Sequence, residues 1–182
     1  MTENKTPIGL RQADIVWAYT LLRIIVGVNY FNHGFTRIGN IPGFAQGMVE
    51  RFQETWIPEV LVRLNATLVP PVELVVGLLI TIGLLTRQAL IVCLCLMLVL
   101  MYGVTLLQQW DTATSQLIYD FILFVLLAGL GYNTFSVDYL LWGKRNSKKS
   151  AERSAEGVVR FVSHIWRKRR RRKNIPSSPN FR

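Results

Sequence analysis

The chain has 182 residues and a formal net charge of +10, yet 51% of its residues are hydrophobic and only 18% are charged, a composition that excludes an intrinsically disordered protein. Residues 1–143 carry seven basic and nine acidic residues, whereas residues 144–182 carry fourteen basic and two acidic ones. The excess positive charge therefore belongs to a basic tail at residues 144–182, which follows one compact unit at residues 1–143. Spread over a whole domain, such a charge would have favoured nucleic-acid binding.

Four stretches of the compact unit are apolar over the length that a membrane-spanning helix needs, about 20 residues. These stretches are residues 15–31, 68–85, 89–107 and 117–132, the last extended back to about residue 112. The third stretch contains no charged side chain, whereas a soluble helix needs a polar face. A cleaved signal peptide is disfavoured, because Arg23 interrupts the first stretch and no small-residue cleavage site follows it. The sequence therefore predicts an all-α, integral membrane four-helix bundle.

Basic residues that flank membrane spans favour the cytoplasmic side, which fixes the expected orientation. The tail is the most basic part of the chain, so we predict that it is cytoplasmic. An even number of spans then places the N-terminus on the same side. Arg87, in the short turn between the second and third stretches, agrees with this topology. Residues 34–67 and 108–115 are then expected outside.

The outer segment contains a predicted amphipathic helix. Phe44, Met48, Phe52 and Trp56 recur every fourth residue with polar residues between them, and Pro58 ends the pattern. This periodicity is typical of a helix that lies on a membrane surface or over the mouth of a bundle.

The basic tail contains a second predicted amphipathic helix. Val158, Val162 and Ile165 line one face of it, just before an uninterrupted basic run at residues 167–173 and a polar end that is expected to be disordered. We expect this region to attract anionic lipid of the inner leaflet. Nucleic-acid binding is disfavoured, because no base-stacking fold accompanies the basic run.

Polar residues inside the spans suggest function, because an Arg, Asp or Glu at mid-span costs about 2.5–3.5 kcal/mol and is expected to face the bundle interior. The polar and small residues of each span fall on one helical face. The predicted stripes are Thr20, Arg23, Gly27, Tyr30 and Gly34; Glu73, Gly77 and Thr81; Cys95, Tyr102, Thr105 and Gln109; and Gln116 and Asp120. Together they predict a bundle with a polar interior.

Depth along the helices gives these residues expected positions. With spans beginning at Leu68 and Leu117, a rise of about 1.5 Å per residue places Glu73 about 8 Å and Asp120 about 5 Å below the outer edge. Arg23 lies near the middle. An ion pair between Arg23 and Glu73 would therefore need the second helix to begin earlier, near Leu61, with the two prolines at 70–71 as a kink.

Two interpretations of these charges stay open. Arg23 and Glu73 could form a buried ion pair that only fixes helix packing. Alternatively, they belong to a site for a lipophilic ligand with a polar head, where Arg23 or His33 donates a hydrogen bond to a carbonyl and Glu73 or Asp120 exchanges protons.

Other chemistries are disfavoured by the residues present. There is no Cys-x-x-Cys pair, and Cys93 and Cys95 point to different sides of a helix. His33 and His164 are expected on opposite sides of the membrane, which disfavours a bis-histidine haem. No metal-ligand spacing, phosphate-binding glycine loop or nucleophile motif occurs. We therefore expect no haem, metal or flavin in this chain.

Several short motifs occur together in order. They are Arg23, Asn-His-Gly-Phe-Thr-Arg at residues 32–37, Pro-Val-Glu-Leu-Val-Val-Gly at residues 71–77 and Gly-Leu-Leu-Thr-Arg at residues 83–87. In these motifs the chain resembles the DoxX family of small four-helix membrane proteins, over roughly residues 21–141. The basic tail lies outside the resemblance.

The resemblance implies a bacterial cytoplasmic (inner) membrane and a link to quinone chemistry, since the family includes proteins that resemble the membrane subunit of thiosulfate:quinone oxidoreductase and subunits associated with terminal quinol oxidases. By motif, it singles out Arg23, His33, Glu73 and Arg87. With Asp120 added from the depth argument, we expect Arg23, His33, Glu73 and Asp120 to bind a quinone.

The leading hypothesis is therefore a quinone-interacting subunit of a membrane oxidoreductase, whose redox partner is another protein subunit. The alternative is a non-catalytic scaffold that anchors a partner through its tail or outer helix. A small-solute transporter is a weaker hypothesis, because four helices offer little room for alternating access.

Overall fold

The computed structural model describes residues 11–143, which form helices and turns without any strand. The elements are α1 (Gln12–Ile38), α2 (Ile41–Phe52), α3 (Glu59–Ile82), α4 (Thr86–Leu106) and α5 (Trp110–Ala128), followed by a 3₁₀ turn at Leu130–Tyr132 and a π turn at Tyr139–Gly143. Helices α1, α3, α4 and α5 are long and apolar enough to cross a membrane. The predicted all-α membrane bundle of four helices is thus confirmed. The predicted amphipathic helix and basic run of the tail lie outside the described residues.

The helices extend further than the apolar stretches that predicted them. Helix α1 continues to Ile38, and α3 begins at Glu59 directly after Pro58 and runs through Pro70 and Pro71. Apolar content marks the part of a helix that suits lipid, whereas polar residues such as Arg37 are good helix formers and extend it beyond that part. The segment between the two spanning helices is therefore residues 39–58, while the membrane boundary of the outer segment predicted at 34–67 stays a prediction.

The four long helices alternate in direction, which gives the bundle two distinct ends. Helix α1 packs along α3, α3 along α4 and α4 along α5. The α2 end of the bundle contains α2 and the loop between α4 and α5. The opposite end, which we call the clasp end, contains the turn at residues 83–85 and the segment 130–138. An apolar core that includes Val26, Ile80, Leu90, Leu123 and Leu126 joins the helices between the two ends.

Helices α1 and α3 are in backbone contact, and glycines make this possible. A Cβ atom on Gly77 would lie 2.6 Å from the Cα atom of Phe31, and one on Gly34 would lie 2.5 Å from the carbonyl oxygen of Pro70. Small residues allow such close approach in membrane helices. The glycines therefore fix which residues of α1 and α3 lie side by side, with Gly27 facing Thr81 at one level and Gly34 facing Leu74 at another.

Helix α2 confirms the predicted amphipathic element, although its buried face differs from the predicted one. Asn40 caps it by accepting a hydrogen bond from the Gly43 amide at 3.1 Å. Val49 and Phe52 pack with Val62 of α3. Trp56 lies beyond the helix and is 73% exposed. A strict four-residue spacing drifts around a helix of 3.6 residues per turn, so the fourth predicted position falls outside the packed face.

The inward face of α4 also differs from the prediction. Cys95 is exposed, whereas Cys93 is buried together with Ala89, Leu90 and Met97. These side chains pack against the apolar core rather than against polar residues of the other helices. The prediction of a polar interior is therefore wrong at this level of the bundle, because apolar packing on α1, α3 and α5 selects the inward face of α4.

Asp138 closes the clasp end. Its carboxylate accepts hydrogen bonds from the amides of Leu85 and Thr86, both at 2.7 Å, at the start of α4. The turn before α4 is strained in conformation, with φ of 71° at Gly83 and 48° at Leu85. A carboxylate at a helix N-terminus satisfies free amides and interacts favourably with the helix dipole. Asp138 thus stabilises this turn, in which Leu85 has a positive φ that residues other than glycine rarely adopt.

We expect Asp138→Ala to lower the free energy of unfolding by about 2 kcal/mol, because two charge-assisted hydrogen bonds at a helix start are lost. Equilibrium unfolding in detergent would measure the change. Asp111→Ala, at an exposed position in the first turn of α5, is the matched control and should change stability by less than about 0.5 kcal/mol. Equal effects of the two substitutions would contradict the proposed role.

Candidate functional site

A cavity of about 550 Å³ lies at the α2 end, between α2 and all four long helices. Its volume is within the usual range for small-molecule sites, about 300–1,000 Å³. Most of its wall is apolar and includes Phe52, Val69, Met97, Leu100 and Leu107. Six polar side chains of the wall carry the chemical argument: Tyr30, His33, Arg37, Asn65, Glu73 and Gln116.

An ion pair between Arg37 and Glu73 lies in the cavity wall. The Nη1 atom of Arg37 donates to Oε2 of Glu73 at 2.8 Å, and the side chain of Glu73 is only 5% exposed. Register explains this contact, because Gly34 of α1 lies against α3 at Leu74 and Arg37 is one helical turn further along the same face. A charge buried in a membrane span needs such a partner, so Arg37 allows Glu73 to be present as a carboxylate.

Arg37 also connects the buried carboxylate to more exposed groups. Its Nη2 atom lies 3.3 Å from Nδ1 of His33, and its guanidinium lies 5.1 Å from the ring centre of Phe44 in α2. His33 is exposed, whereas Glu73 is buried. The three side chains His33, Arg37 and Glu73 therefore form a polar row from the surface to the cavity, which we call the charged row.

Two buried polar atoms of the cavity wall lack hydrogen-bond partners among the described residues. They are the hydroxyl of Tyr30 and the Oε1 atom of Gln116. Tyr30 is 4% exposed, and its ring lies edge-on to that of Tyr119 at 6.4 Å. A buried polar atom without a partner costs about 1–3 kcal/mol, so native proteins rarely contain one without a reason. A bound ligand or solvent in the cavity would supply the missing partners.

The structure places two of the four predicted ligand-binding residues at this cavity. His33 and Glu73 line it, whereas Arg23 and Asp120 do not. Their roles in binding stay predictions, but the geometry favours the first two.

Arg23 lies near the clasp end and binds backbone carbonyls. Its Nη1 atom donates to the oxygens of Ile80 and Thr81, the latter at 2.8 Å, and its Nη2 atom donates to the oxygen of Phe135 at 2.9 Å. The hypothetical ion pair between Arg23 and Glu73 is therefore wrong. The glycine contacts between α1 and α3 place Arg23 level with Ile80, about two helical turns away from Glu73.

Asp120 lies further from the start of its helix than the apolar stretch indicated. Helix α5 begins at Trp110, so Asp120 lies about 15 Å along the helix rather than about 5 Å. It is half-buried and forms no hydrogen bond or ion pair with another residue of the described range. Leu117 begins the apolar stretch but not the helix, and the depth of Asp120 below the membrane edge stays a prediction.

Sequence reasoning missed three residues of the cavity as candidates: Arg37, Tyr30 and Gln116. Tyr30 and Gln116 were placed on inward stripes but given no role, and Arg37 was placed in a loop. The spacing of Arg23, Gly27, Tyr30, Gly34 and Arg37 continues a single helical face, a signal that could have extended the first helix to Arg37.

The fold and the cavity define a small multi-pass membrane protein with a largely apolar internal site and a buried ion pair. Residues 18–106 match the family model DoxX, and over this range the chain is similar to the DoxX family of membrane proteins. The matched region contains His33, Arg37 and Glu73 but not Gln116. No curated protein and no solved structure matches the chain.

Proposed function

We propose that this chain is a quinone-interacting subunit of a membrane oxidoreductase and that a partner subunit donates or accepts the electrons. The observation that carries the proposal is the largely apolar cavity with a buried ion pair in its wall. A quinone combines a flat, lipophilic ring and tail with two polar oxygens. The cavity offers both the apolar surface and the polar groups that such a ligand needs.

The apolar part of the wall suits the ring. Phe52 and Leu107 belong to the cluster that joins α2 and α3 to the end of α4, and Met97 belongs to the main core. The hydroxyl of Tyr30 and the remaining N–H groups of Arg37 can donate to a ligand oxygen, since Arg has five donors and two are engaged by Glu73 and His33. The orphaned hydroxyl of Tyr30 thus fits a quinone oxygen.

The charged row gives protons a route to and from the cavity. A bound quinone supplies two-electron chemistry that is coupled to protons. Glu73 is placed to accept or return a proton at the cavity, and Arg37 holds its carboxylate in position. His33, exposed beside Arg37, can exchange protons with water.

We further propose that the bundle resides in the bacterial cytoplasmic membrane with its basic tail in the cytoplasm. Residues 144–182, with fourteen basic residues, would then attract anionic lipid by about 1 kcal/mol per residue near the surface. The partner subunit would carry the redox centre.

Glu73→Gln tests the site because it removes the charge and keeps the shape of the side chain. We expect binding of a short-chain benzoquinone to the purified chain to weaken about tenfold, since the variant loses the carboxylate that orients Arg37. Binding would be measured by quenching of intrinsic tryptophan fluorescence in detergent micelles, with the thermal unfolding midpoint as a folding check.

Glu59→Gln is the matched control for this substitution. Glu59 is an exposed carboxylate at the start of the same helix, and it pairs with Arg63 at 2.8 Å outside the cavity. Binding should be unchanged in this variant. Absence of quinone binding in the unmodified chain, or equal binding by the Glu73 variant when it is well folded, would contradict the proposed function.

A further inference from the structure

The polar groups of the cavity wall include more free acceptors than the proposed function by itself requires. The Oε1 atom of Gln116 is buried and accepts no hydrogen bond from any residue of the described range. Glu73 gives only its Oε2 atom to Arg37, which leaves Oε1 of the carboxylate without a protein donor. A carboxylate or amide oxygen can only accept, so a donor on the ligand would pair with either atom.

Tyr30 adds a third acceptor. Its buried hydroxyl has no hydrogen-bond partner of ordinary geometry, and the thiol of Cys93 lies beside it. A thiol is a weak partner in either direction. If the hydroxyl hydrogen turns towards the sulfur, the two lone pairs of the oxygen are still free to accept.

We propose that the cavity selects a ligand whose polar head donates hydrogen bonds, and therefore binds a hydroquinone more tightly than the quinone of the same ring. This inference rests on the proposed function and adds the oxidation state of the ligand. The two forms have nearly the same size and ring substituents, so the apolar wall cannot separate them. They differ in that a hydroquinone carries two O–H donors, whereas a quinone carries only acceptors.

The preference arises because a bound ligand displaces water from the acceptors of the cavity wall. A quinone oxygen placed near Gln116 or Glu73 would leave their oxygens desolvated and unpaired, which is unfavourable. A hydroquinone hydroxyl would satisfy one of them and could still accept from Arg37. A site with buried acceptors strongly rejects an analogue that lacks the matching donor. An apolar pocket discriminates less strongly against a ligand that carries an additional group.

The experiment compares three ligands on the purified full-length chain in lipid nanodiscs under anaerobic conditions: a short-chain benzoquinone, its hydroquinone and the dimethyl ether of the hydroquinone. We expect the hydroquinone to bind at least tenfold more tightly than the quinone. The dimethyl ether, which is reduced but has no donor, should bind no better than the quinone. A preference for the dimethyl ether as strong as that for the hydroquinone would overturn the inference.

Variants then assign the preference to the acceptors. Gln116→Leu should lower the ratio of the two affinities about threefold or more, and the double variant with Tyr30→Phe should lower it further. Gln116→Glu, which keeps an acceptor oxygen, should retain the preference. Gln109→Leu is the matched control, because this exposed amide also lines the cavity yet has no orphaned buried atom.

The outcomes separate this inference from the proposed function. Equal affinity for quinone and hydroquinone, with both weakened by Glu73→Gln, would overturn the donor preference and leave the quinone site standing. A preference of the parent's size in the folded double variant would also overturn it. Absence of binding by either form would overturn the proposed function and the inference together.

Discussion

Arg23→Ala should lower the free energy of unfolding by about 3 kcal/mol or more. Arg23 is 2% exposed, and its guanidinium donates to three backbone carbonyls at the clasp end. Two of these carbonyls belong to the last turn of α3, and among the described residues only that of Ile80 has a second donor, the Gly83 amide at 3.2 Å. Removal of the cation therefore leaves the carbonyls of Thr81 and Phe135 unpaired and opens a void. Unfolding in detergent, followed by circular dichroism, would measure the loss.

The same variant separates structure from ligand binding. Because Arg23 lies outside the cavity, the folded fraction of Arg23→Ala should bind a benzoquinone with unchanged affinity. Arg87→Ala is the control, since Arg87 is exposed and forms no side-chain hydrogen bond within the described residues. It should leave stability within about 0.5 kcal/mol of the parent. Weaker quinone binding by stable Arg23 variants such as Arg23→Lys would instead support the predicted binding role of Arg23.

Gly77→Ala is expected to have the second largest effect, although it adds a single methyl group. The added Cβ atom would lie 2.6 Å from Cα of Phe31 and 2.8 Å from the carbonyl oxygen of Gly27. These are backbone atoms, so they can move only if α1 and α3 separate along their length. Overpacking of this kind costs about 1–3 kcal/mol in soluble cores, and we expect a loss at the upper end of that range.

Loss of the α1–α3 contact should also affect the cavity. Arg37 and Glu73 face each other across the same helix pair, so Gly77→Ala should weaken benzoquinone binding as well as stability. Gly47→Ala is the matched control, because Gly47 lies within a helix and a Cβ atom there meets no atom within 4 Å. That substitution should be neutral or stabilising by up to about 1 kcal/mol. Similar stability of the two variants would contradict close packing at Gly77.

Helical periodicity explains why the inward faces of α1 and α3 were predictable. Arg23, Gly27, Tyr30 and Gly34 were predicted on one face of α1, and all four are buried. Helix α4 shows the limit of this reasoning. Its polar residues are few and weakly polar, so they did not mark the inward face, and packing of the apolar core buried Cys93 instead of Cys95.

The partner of each charge was not predictable in the same way. Glu73 was predicted correctly as inward-facing, but two arginines of α1 were within plausible reach of it. Which of them pairs with Glu73 depends on how far α1 is shifted along α3. That shift follows from backbone contacts at Gly27, Gly34 and Gly77, which involve residues about 50 positions apart in the chain.

The amino-acid sequence by itself determined the number of membrane helices, the amphipathic element at residues 41–52, the inward faces of α1 and α3 and the similarity to the DoxX family. These features depend on composition and on the 3.6-residue period, which are local properties of the chain. Only the tertiary structure decided that Arg37 rather than Arg23 pairs with Glu73, that Arg23 instead caps the end of α3, and that Tyr30 and Gln116 share one cavity with the charged row. Each of these depends on how separate helices are shifted and packed against one another. Close contacts between residues that are far apart in the chain set this arrangement.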